Sequence, residues 1–489
     1  IYTLSLHDAL PICAAIRYLH GRQQLLAARR RSYAAGRQNG PNQNWRPANT
    51  SADANIRRDG KLMLARSRDL ADNNPAISGA LVKIVNNVVR TGIWPRPALR
   101  LADGKPDRER NKILVERWDS WAPRAEATGR LSIYGLQRLA LRHWLVDGEV
   151  LVHAVADPAD REMPLRFELI ECDQLDAAVE GFLPGGNTAR GGIEYDAMGR
   201  AVAYHVLPYH PGDATWFTAK WGRSVRIPAG DCFHLYQPLR ASQHRGVTCL
   251  AAVIMRMFDL EEYQDYEMIG AKLAAAFGVF ITTSSAEMFA PGQVLAGGVN
   301  ERGTPLDYIE PGRIDRLAPG EDIKIAEHRR PGDTYEAFVK ANTREASTGM
   351  GMSYETFSND YSQATYSSAR QALLEERRGY AVMQDFLCER LNAWLWGRFL
   401  AHAWLAGAVT LPDFARARRR FTQAVRWMCP GWEWIDPLKD GQGVKLRLEM
   451  GLTSRTREAA REGNDFEEIA EENARDQEIS PQKETADAA

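Results

Sequence analysis

Cysteine is scarce in this chain, and the six that occur, at positions 13, 172, 232, 249, 388 and 429, form no CxxC pair and no spacing suited to a disulfide framework. That excludes a disulfide-stapled secreted module and a zinc ribbon, and leaves the cysteines as buried thiols of a cytosolic protein. Cys232-Phe233-His234 offers two potential ligands, but alternate residues of a strand point to opposite faces, so no metal is assigned. Catalytic signatures are lacking too. There is no GxxxxGK[ST] phosphate loop, no GxSxG elbow, no HExxH and no GxGxxG; Gly349-Met350-Gly351 has neither the spacing nor the strand context of a nucleotide site. No cofactor is expected, and the chain does not read as an enzyme. A membrane span is refused as well. Ala393 to Leu411 is long and apolar, but Arg398 and His402 interrupt it, and a central arginine costs about 2.5 to 3.5 kcal/mol on insertion scales. A buried helix accounts for it better.

Net charge is nearly absent, at −1 over 489 residues, yet the distribution is polarised. Residues 14–40 hold six arginines and no acid, whereas residues 456–489 hold eleven acids against four bases. Both ends read as solvated tails; the functional account has the basic one touching nucleic acid or an acidic neighbour. Thr3 to Ile12, TLSLHDALPI, reads as translated sequencing adapter, so residues 1–12 are set aside and the authentic start is expected upstream of Cys13. Arg416-Ala417-Arg418-Arg419-Arg420, flanked by Phe414 and Phe421, reads as an exposed helical face paired with neighbouring acids. Trp427, Trp432 and Trp434 are expected to pack a connection near Pro430 and Pro437.

With 44% hydrophobic residues the chain buries sizeable cores, and its periodicity shifts along the length. Residues 61–145 are mainly helical: Asn74-Pro75 opens one helix and Ser132 to Leu145 forms another. From Glu149 to Tyr236 the period becomes two, giving strands at 150–155, 166–170, 201–207 and 225–227 with a hairpin turn at Asp196 to Arg200. Helical spacing returns from Cys249 to Phe277, with Leu250, Val253, Met257, Leu260, Tyr263, Met268 and Leu273 available for one face and Asp259, Glu261, Glu262, Asp265 and Glu267 opposite. A glycine- and proline-rich stretch, Ile281 to Ile325, favours short strands and turns. A capping box of Asp333 and Glu336 then starts another helix, which Gly349 and Gly351 stop.

The densest signal lies from Ser353 to Glu376. Ser368 and Gln371 form an S-x-x-Q capping box that places the next helix start at Ser368, and Leu373, Tyr380, Met383, Leu387, Leu391 and Trp394 follow as one apolar stripe. Between the two helices stands a polar loop of about fifteen residues, long enough to be a functional candidate.

Ser353-Tyr354-Glu355 followed by Tyr366-Ser367-Ser368-Ala369-Arg370 closely resembles lambda-type tailed-phage portal proteins. The likeness extends in order through Tyr33-Ala34-Ala35, Trp45, Ser51-Ala52-Asp53, Arg66 to Leu70, Asn73-Asn74-Pro75, Gly192 to Asp196, Gly199-Arg200, Ala203 to Val206, Ile227-Pro228-Ala229, Gln243-His244-Arg245-Gly246, Gly451 to Ser454 and Gly463-Asn464-Asp465. It covers about residues 30 to 480, and its collinearity is more specific than any single motif. The chain ends soon after Ser480-Pro481, earlier than relatives with longer tails.

The resemblance implies an α+β portal fold: a basic arm at 13–60, a wing at 61–248, stem helices at 249–278 and 329–352, a β-rich clip at 279–328, a tunnel loop at 353–367, a long wing helix and connection at 368–430, and a crown with an acidic tail at 431–489. It implies a homo-oligomeric ring, expected to be a dodecamer, at the capsid vertex of a virion, assembled in the host cytoplasm. Its partners would be double-stranded DNA without sequence preference, the large terminase subunit, which would hold the motor's ATP hydrolysis, the major capsid and scaffold proteins, and head–tail joining proteins. Asn359, Asp360, Tyr361, Ser362, Gln363 and Thr365 would line the DNA channel, with Ser368, Arg370 and Gln371 at the helix start behind them. Some of Glu261, Glu262, Asp265 and Glu267 would form an acidic wall, low in friction because it neutralises no phosphate. The rival from another class is a metal-dependent, nuclease-like enzyme using Glu171, Asp173 and Asp176.

Overall fold

The computed structural model describes residues 44, 47–213, 223–275, 279–283, 321–325 and 334–479, without side chains at 273–283 and 321–325. The adapter-like start, the basic arm to Gly40, Cys13, Asp333 and most of the expected clip lie outside the described residues. The chain divides into a unit of residues 1–55 and a unit of residues 56–489. Of the first, the described part ends in the opening turn of helix α1 (Ala52–Asn73), where the Ser51 hydroxyl accepts from the Ala54 amide at 3.2 Å.

The second unit mixes helices with antiparallel sheets. Helix α2 (Pro75–Val88) starts where Asn74 accepts from the amides of Ala76 and Ile77 and proline occupies the first turn. Strand β1 (Trp94–Pro97) is followed by α3 (Arg108–Trp121), capped by Asp107, and α4 (Ile133–Val146), capped by Ser132. Strands β2 (Glu149–Ala156), β3 (Leu165–Ile170), β4 (Gly181–Phe182), β5 (Thr188–Arg190), β6 (Ile193–Tyr195), β7 (Ala201–Val206), β8 (Val225–Pro228) and β9 (Cys232–Tyr236) form two sheets, ordered β3-β2-β9 and β4-β5-β6-β7-β8. A small core of Leu151, Ile170, Leu175, Ile193, Tyr204, Val206, Ile227 and Cys232 joins them. The expected turn at Asp196 to Arg200 is present, with the Asp196 carboxylate accepting from the amides of Met198 and Arg200 and Gly199 at φ +77°.

Helix α5 (Ile254–Ala275) leads to β10 (Val279–Thr283), which pairs antiparallel with β11 (Glu321–Ile325) before α6 (Tyr335–Gly349) returns. Arg256 pairs with Glu345 at 2.6 Å and Tyr263 packs edge-on against Phe338 at 4.8 Å, so the two helices run antiparallel side by side. At their base a Cβ on Gly349 would fall 2.4 Å from Val253, which explains a glycine at the helix end. Met268, expected on the covered face of α5, is exposed. Thr334 occupies the α6 N-cap position without a side-chain hydrogen bond.

Helix α7 (Tyr354–Ser358) precedes α8 (Tyr366–Leu387), a π-helical turn (Cys388–Asn392) and α9 (Ala393–Leu405). The remaining elements are α10 (Phe414–Gln423), β12 (Val425–Met428), which pairs with β1, and the C-terminal helices α11 (Pro437–Glu449), α12 (Arg455–Arg461) and α13 (Phe466–Ile479). The main core lies on α9. Phe399 is fully buried against Trp118 at 5.0 Å, Trp121 at 5.2 Å and Trp396 at 5.4 Å, and Ile77, Leu81, Ile84, Leu136 and Leu391 belong to the same cluster. No helix among the described residues is long and apolar enough to cross a membrane. The apolar run from Ala393 is the centre of the core, and Arg398 at its flank pairs with Asp231 at 2.8 Å.

Candidate DNA-contacting loop and its supports

The segment expected as one long loop is partly helical. Ser353 caps α7 through the Thr356 amide at 3.2 Å, and Asn359 ends it in the left-handed conformation at φ +58°, a role asparagine tolerates better than most residues. Only Asn359 to Thr365 remains as loop. The following helix also starts earlier than the S-x-x-Q pattern suggests. Thr365 is the N-cap and accepts from the Ser368 amide, while the Ser368 hydroxyl accepts from the Thr365 amide at 3.0 Å, a reciprocal box one turn upstream of the expected one. Gln371 takes no part in this box and is exposed. Arg370 ties the helix start to α11 through Asp440 at 3.1 Å.

Supports from distant elements hold the loop's first residues. Lys83 of α2 donates to the Asn359 side chain at 2.7 Å and to the Thr356 carbonyl. The Asp360 carboxylate accepts from the Ser362 amide at 3.1 Å and from the Tyr354 hydroxyl at 3.0 Å, with Lys340 of α6 at 3.5 Å. These hydrogen bonds from Ser362 and Tyr354, helped by the lysine charge, hold the Asp360 carboxyl well below the usual range. Glu376, buried on α8, accepts from the Ser353 amide at 2.6 Å. Tyr361, Ser362 and Gln363 stay exposed at the tip. The loop is therefore anchored at its base and presents neutral polar groups with one aromatic ring. Lys83, Lys340, Tyr354 and Glu376 were not singled out from sequence, because their partners lie far along the chain or inside a motif read for other reasons.

The four acids expected on one wall of α5 separate. Glu262 and Asp265 are exposed, the former accepting from the Tyr266 hydroxyl at 3.2 Å. Glu261 is half-buried and accepts from Asn74 at 3.2 Å, steadying the cap of α2. Glu267 is buried, with the Tyr263 hydroxyl at 3.4 Å.

A second charged centre surrounds Asp147-Gly148-Glu149. Arg68 of α1 grips Asp147 at 2.8 Å, which also accepts from His143 at 2.6 Å. Glu149, fully buried, accepts from Arg245 at 2.6 Å, from His234 at 2.8 Å and from the Gly246 amide at 2.7 Å. A Cβ on Gly246 would sit 2.2 Å from the Gly148 carbonyl, so Gln243-His244-Arg245-Gly246 is a structural clasp that needs its glycine. Glu171, Asp173 and His210 bring potential ligand atoms within 4.8 Å of one another. Arg68 already lies between the acids, 3.1 Å from Glu171 and 2.8 Å from Asp173, and supplies the positive charge a cation would bring. Asp176 is not part of this group; its carboxylate accepts from the Ser224 hydroxyl at 2.7 Å. The carboxylate set of the nuclease-like reading is thus not assembled.

The arginine run on α10 is exposed, as expected, but its partners differ. Among the described residues Arg418 donates to the Gly397 carbonyl and Arg420 to the Arg100 carbonyl at 3.2 Å; no acid pairs with the run. Trp427 and Trp432 do pack the connection, Trp432 donating to Asn87 at 3.1 Å, while Trp434 is exposed beside Gly441. Of the cysteines, Cys172, Cys232 and Cys388 are buried, Cys429 is half-buried and Cys249 is exposed.

Residues 38–384 match the model of the family described as phage portal protein, lambda family. The chain is 27% identical over 444 residues to the probable portal protein of Halomonas phage phiHAP-1, across 90% of this chain and 85% of that protein. It is 24% identical over 467 residues to portal protein B of Escherichia phage lambda, across 88% and 86%. It is 23% identical over 465 residues to the portal protein of Escherichia phage N15, across 88% and 87%. Among solved structures, the neck of an empty GTA particle computed with C6 symmetry matches at a TM-score of 0.48 and 15% identity, across 86% of this chain and 95% of that one.

Proposed function

The chain belongs to the lambda family of phage portal proteins, and from that membership we propose that it is the subunit of a dodecameric ring at the capsid vertex of a virion, through whose hole double-stranded DNA passes during packaging and ejection. The observation that carries the DNA-contact part of this reading is the anchored loop. Asn359 and Asp360 are held from α2, α6 and α7, while Tyr361, Ser362 and Gln363 project without a basic side chain among them. Such a tip brushes phosphates and sugars by hydrogen bonding, and lacks the cationic grip that would make DNA stick.

Oligomerisation has its own support. Helix α5 exposes Met255, Phe258, Tyr266 and Ile269 along one side while Met257 and Leu260 are buried on the other, so it carries more apolar surface than one chain covers. A neighbouring copy of the subunit covers the Met255–Phe258 end of that side in the ring and leaves Glu262 and Asp265, which share the side farther along, open to the channel. The large terminase subunit, capsid and scaffold proteins and head–tail joining proteins dock around this ring; ATP hydrolysis belongs to the terminase. Assembly takes place in the host cytoplasm.

The test replaces Tyr361-Ser362-Gln363 with three glycines and leaves Asp360 in place. Rings by negative-stain microscopy are expected to form normally, while the yield of DNA-filled particles falls by about tenfold, the factor that about 1.4 kcal/mol of lost contact energy makes. Full particles at normal yield would remove the loop from the DNA path; compact monomers from the unaltered protein would remove the ring.

A further inference from the structure

Helix α8 and the segment leading to the C-terminal helices meet along a seam with several cross-links. Gln384 donates to the Pro430 carbonyl at 3.1 Å, Arg377 donates to the Glu433 carbonyl at 3.0 Å, and Arg370 pairs with Asp440. Near the Gln384 end of this seam, just past the end of α8, the thiols of Cys388 and Cys429 stand 3.5 Å apart, from residues 41 positions apart in sequence. Cys388 lies in the π-helical turn, where the extra residue shifts the side-chain register, and Cys429 directly follows β12. The Cys429–Gly431 stretch is packed tightly from its other side: a Cβ on Gly431 would sit 2.4 Å from the Arg461 carbonyl at the end of α12, and Gly463 at φ +84° abuts the Cys429 carbonyl. Two free thiols are thus in contact at the junction of the long helix and the C-terminal module, about 1.5 Å beyond the length of a disulfide bond.

We propose that Cys388 and Cys429 are a modification site, a dithiol that closes to a reversible disulfide and staples the C-terminal helices to the long helix. The oxidant is a low-molecular-weight disulfide such as oxidised glutathione. Cys429, the half-buried thiol, reacts first: its thiolate attacks one sulfur of the oxidant, forms a mixed disulfide and releases one glutathione thiolate, which takes up the proton lost by Cys429. The Cys388 thiolate then attacks the Cys429 sulfur and expels the second glutathione, which takes the proton from Cys388. Two electrons pass from the cysteine pair to the oxidant, and two molecules of reduced glutathione are formed. The contact with Cys429 and, next, burial push the Cys388 thiol up from its ordinary range, so the second step is the slow one; a reducing poise of the surroundings keeps the pair reduced. In the cytoplasm it is open; in a particle released to oxidising surroundings it closes. That timing rests on the portal reading, whereas the chemistry of the pair does not.

The test uses the full chain, incubated with oxidised glutathione or with dithiothreitol and then mapped by mass spectrometry without reduction. A peptide joining Cys388 to Cys429 is expected after oxidation and disappears on reduction. The oxidised protein is expected to melt about 5 °C higher than the reduced one, because the cross-link restricts the unfolded chain, and Cys429→Ser abolishes this rise. Cys388→Ala is expected to trap the mixed disulfide at Cys429. If the exposed Cys249 takes up glutathione while Cys388 remains free to alkylation in the unaltered chain, or if the mixed disulfide at Cys429 persists there, the proposal fails. Either result leaves ring formation untouched.

Discussion

Burial by itself would raise the Glu149 carboxyl, because the charged form loses its solvation, but the Arg245 charge and the His234 hydrogen bond outweigh that loss and bring it down to about 2. A carboxyl whose folded value lies below its unfolded one stabilises the fold above the unfolded value and loses that contribution as pH falls toward the folded value. The shift from 4.5 to about 2 corresponds to about 3 kcal/mol, lost between about pH 5 and pH 2. Urea unfolding across that range is expected to show a shallower acid loss in Glu149→Gln than in the unaltered chain. Equal slopes would mean the clasp is electrostatically idle. Arg245→Gln takes the guanidinium away from buried Glu149, leaving it His234 and the Gly246 amide, and is expected to cost about 3 kcal/mol at neutral pH, read as a lower urea midpoint.

At the scale of elements, the start of α8 separates two capping patterns written over the same residues. Thr365→Ala removes an N-cap oxygen that accepts from the Ser368 amide, and is expected to cost about 1 kcal/mol and to speed amide exchange in the first turn. Gln371→Ala is expected to change neither. Thr365, Ser367 and Ser368 are all competent caps, so composition narrows the start of the helix only to within a turn; the path by which Asp360 and Ser362 lead the chain in decides among them. Elements with a period were legible: in the expected stripe Tyr380, Leu387 and Leu391 are buried and Met383 is half-buried, and the strands at 149–156 and 201–206 begin and end within a residue of their expected bounds. What was not legible depends on distance along the chain. The Lys83 contact with Asn359 spans 276 positions, and no local pattern announces it. Arg68 is similar: the acids near position 171 read as a cation site until an arginine from α1 is found among them.

For the whole molecule, the acidic wall becomes a sharper claim once α5 is placed. Charge patterning treated Glu261, Glu262, Asp265 and Glu267 as equivalent, but burial divides them, since of the four only Glu262 and Asp265 are exposed, one turn apart on the helix. If α5 faces passing DNA, the repeated carboxylates of these two residues keep the wall from neutralising phosphates, and the double variant Glu262→Lys, Asp265→Lys converts a repelling surface into a gripping one. Rings of that variant are expected to assemble normally by negative-stain microscopy while genome packaging slows or stalls, and raising the salt concentration is expected to relieve the stall because added salt screens the new contacts. Glu267→Lys is expected to behave differently, with poor folding and little soluble ring, because it puts a new cation into a buried position beside Tyr263. Normal packaging by the double variant would place this face of α5 away from DNA, and the wall would then have to be sought on another element.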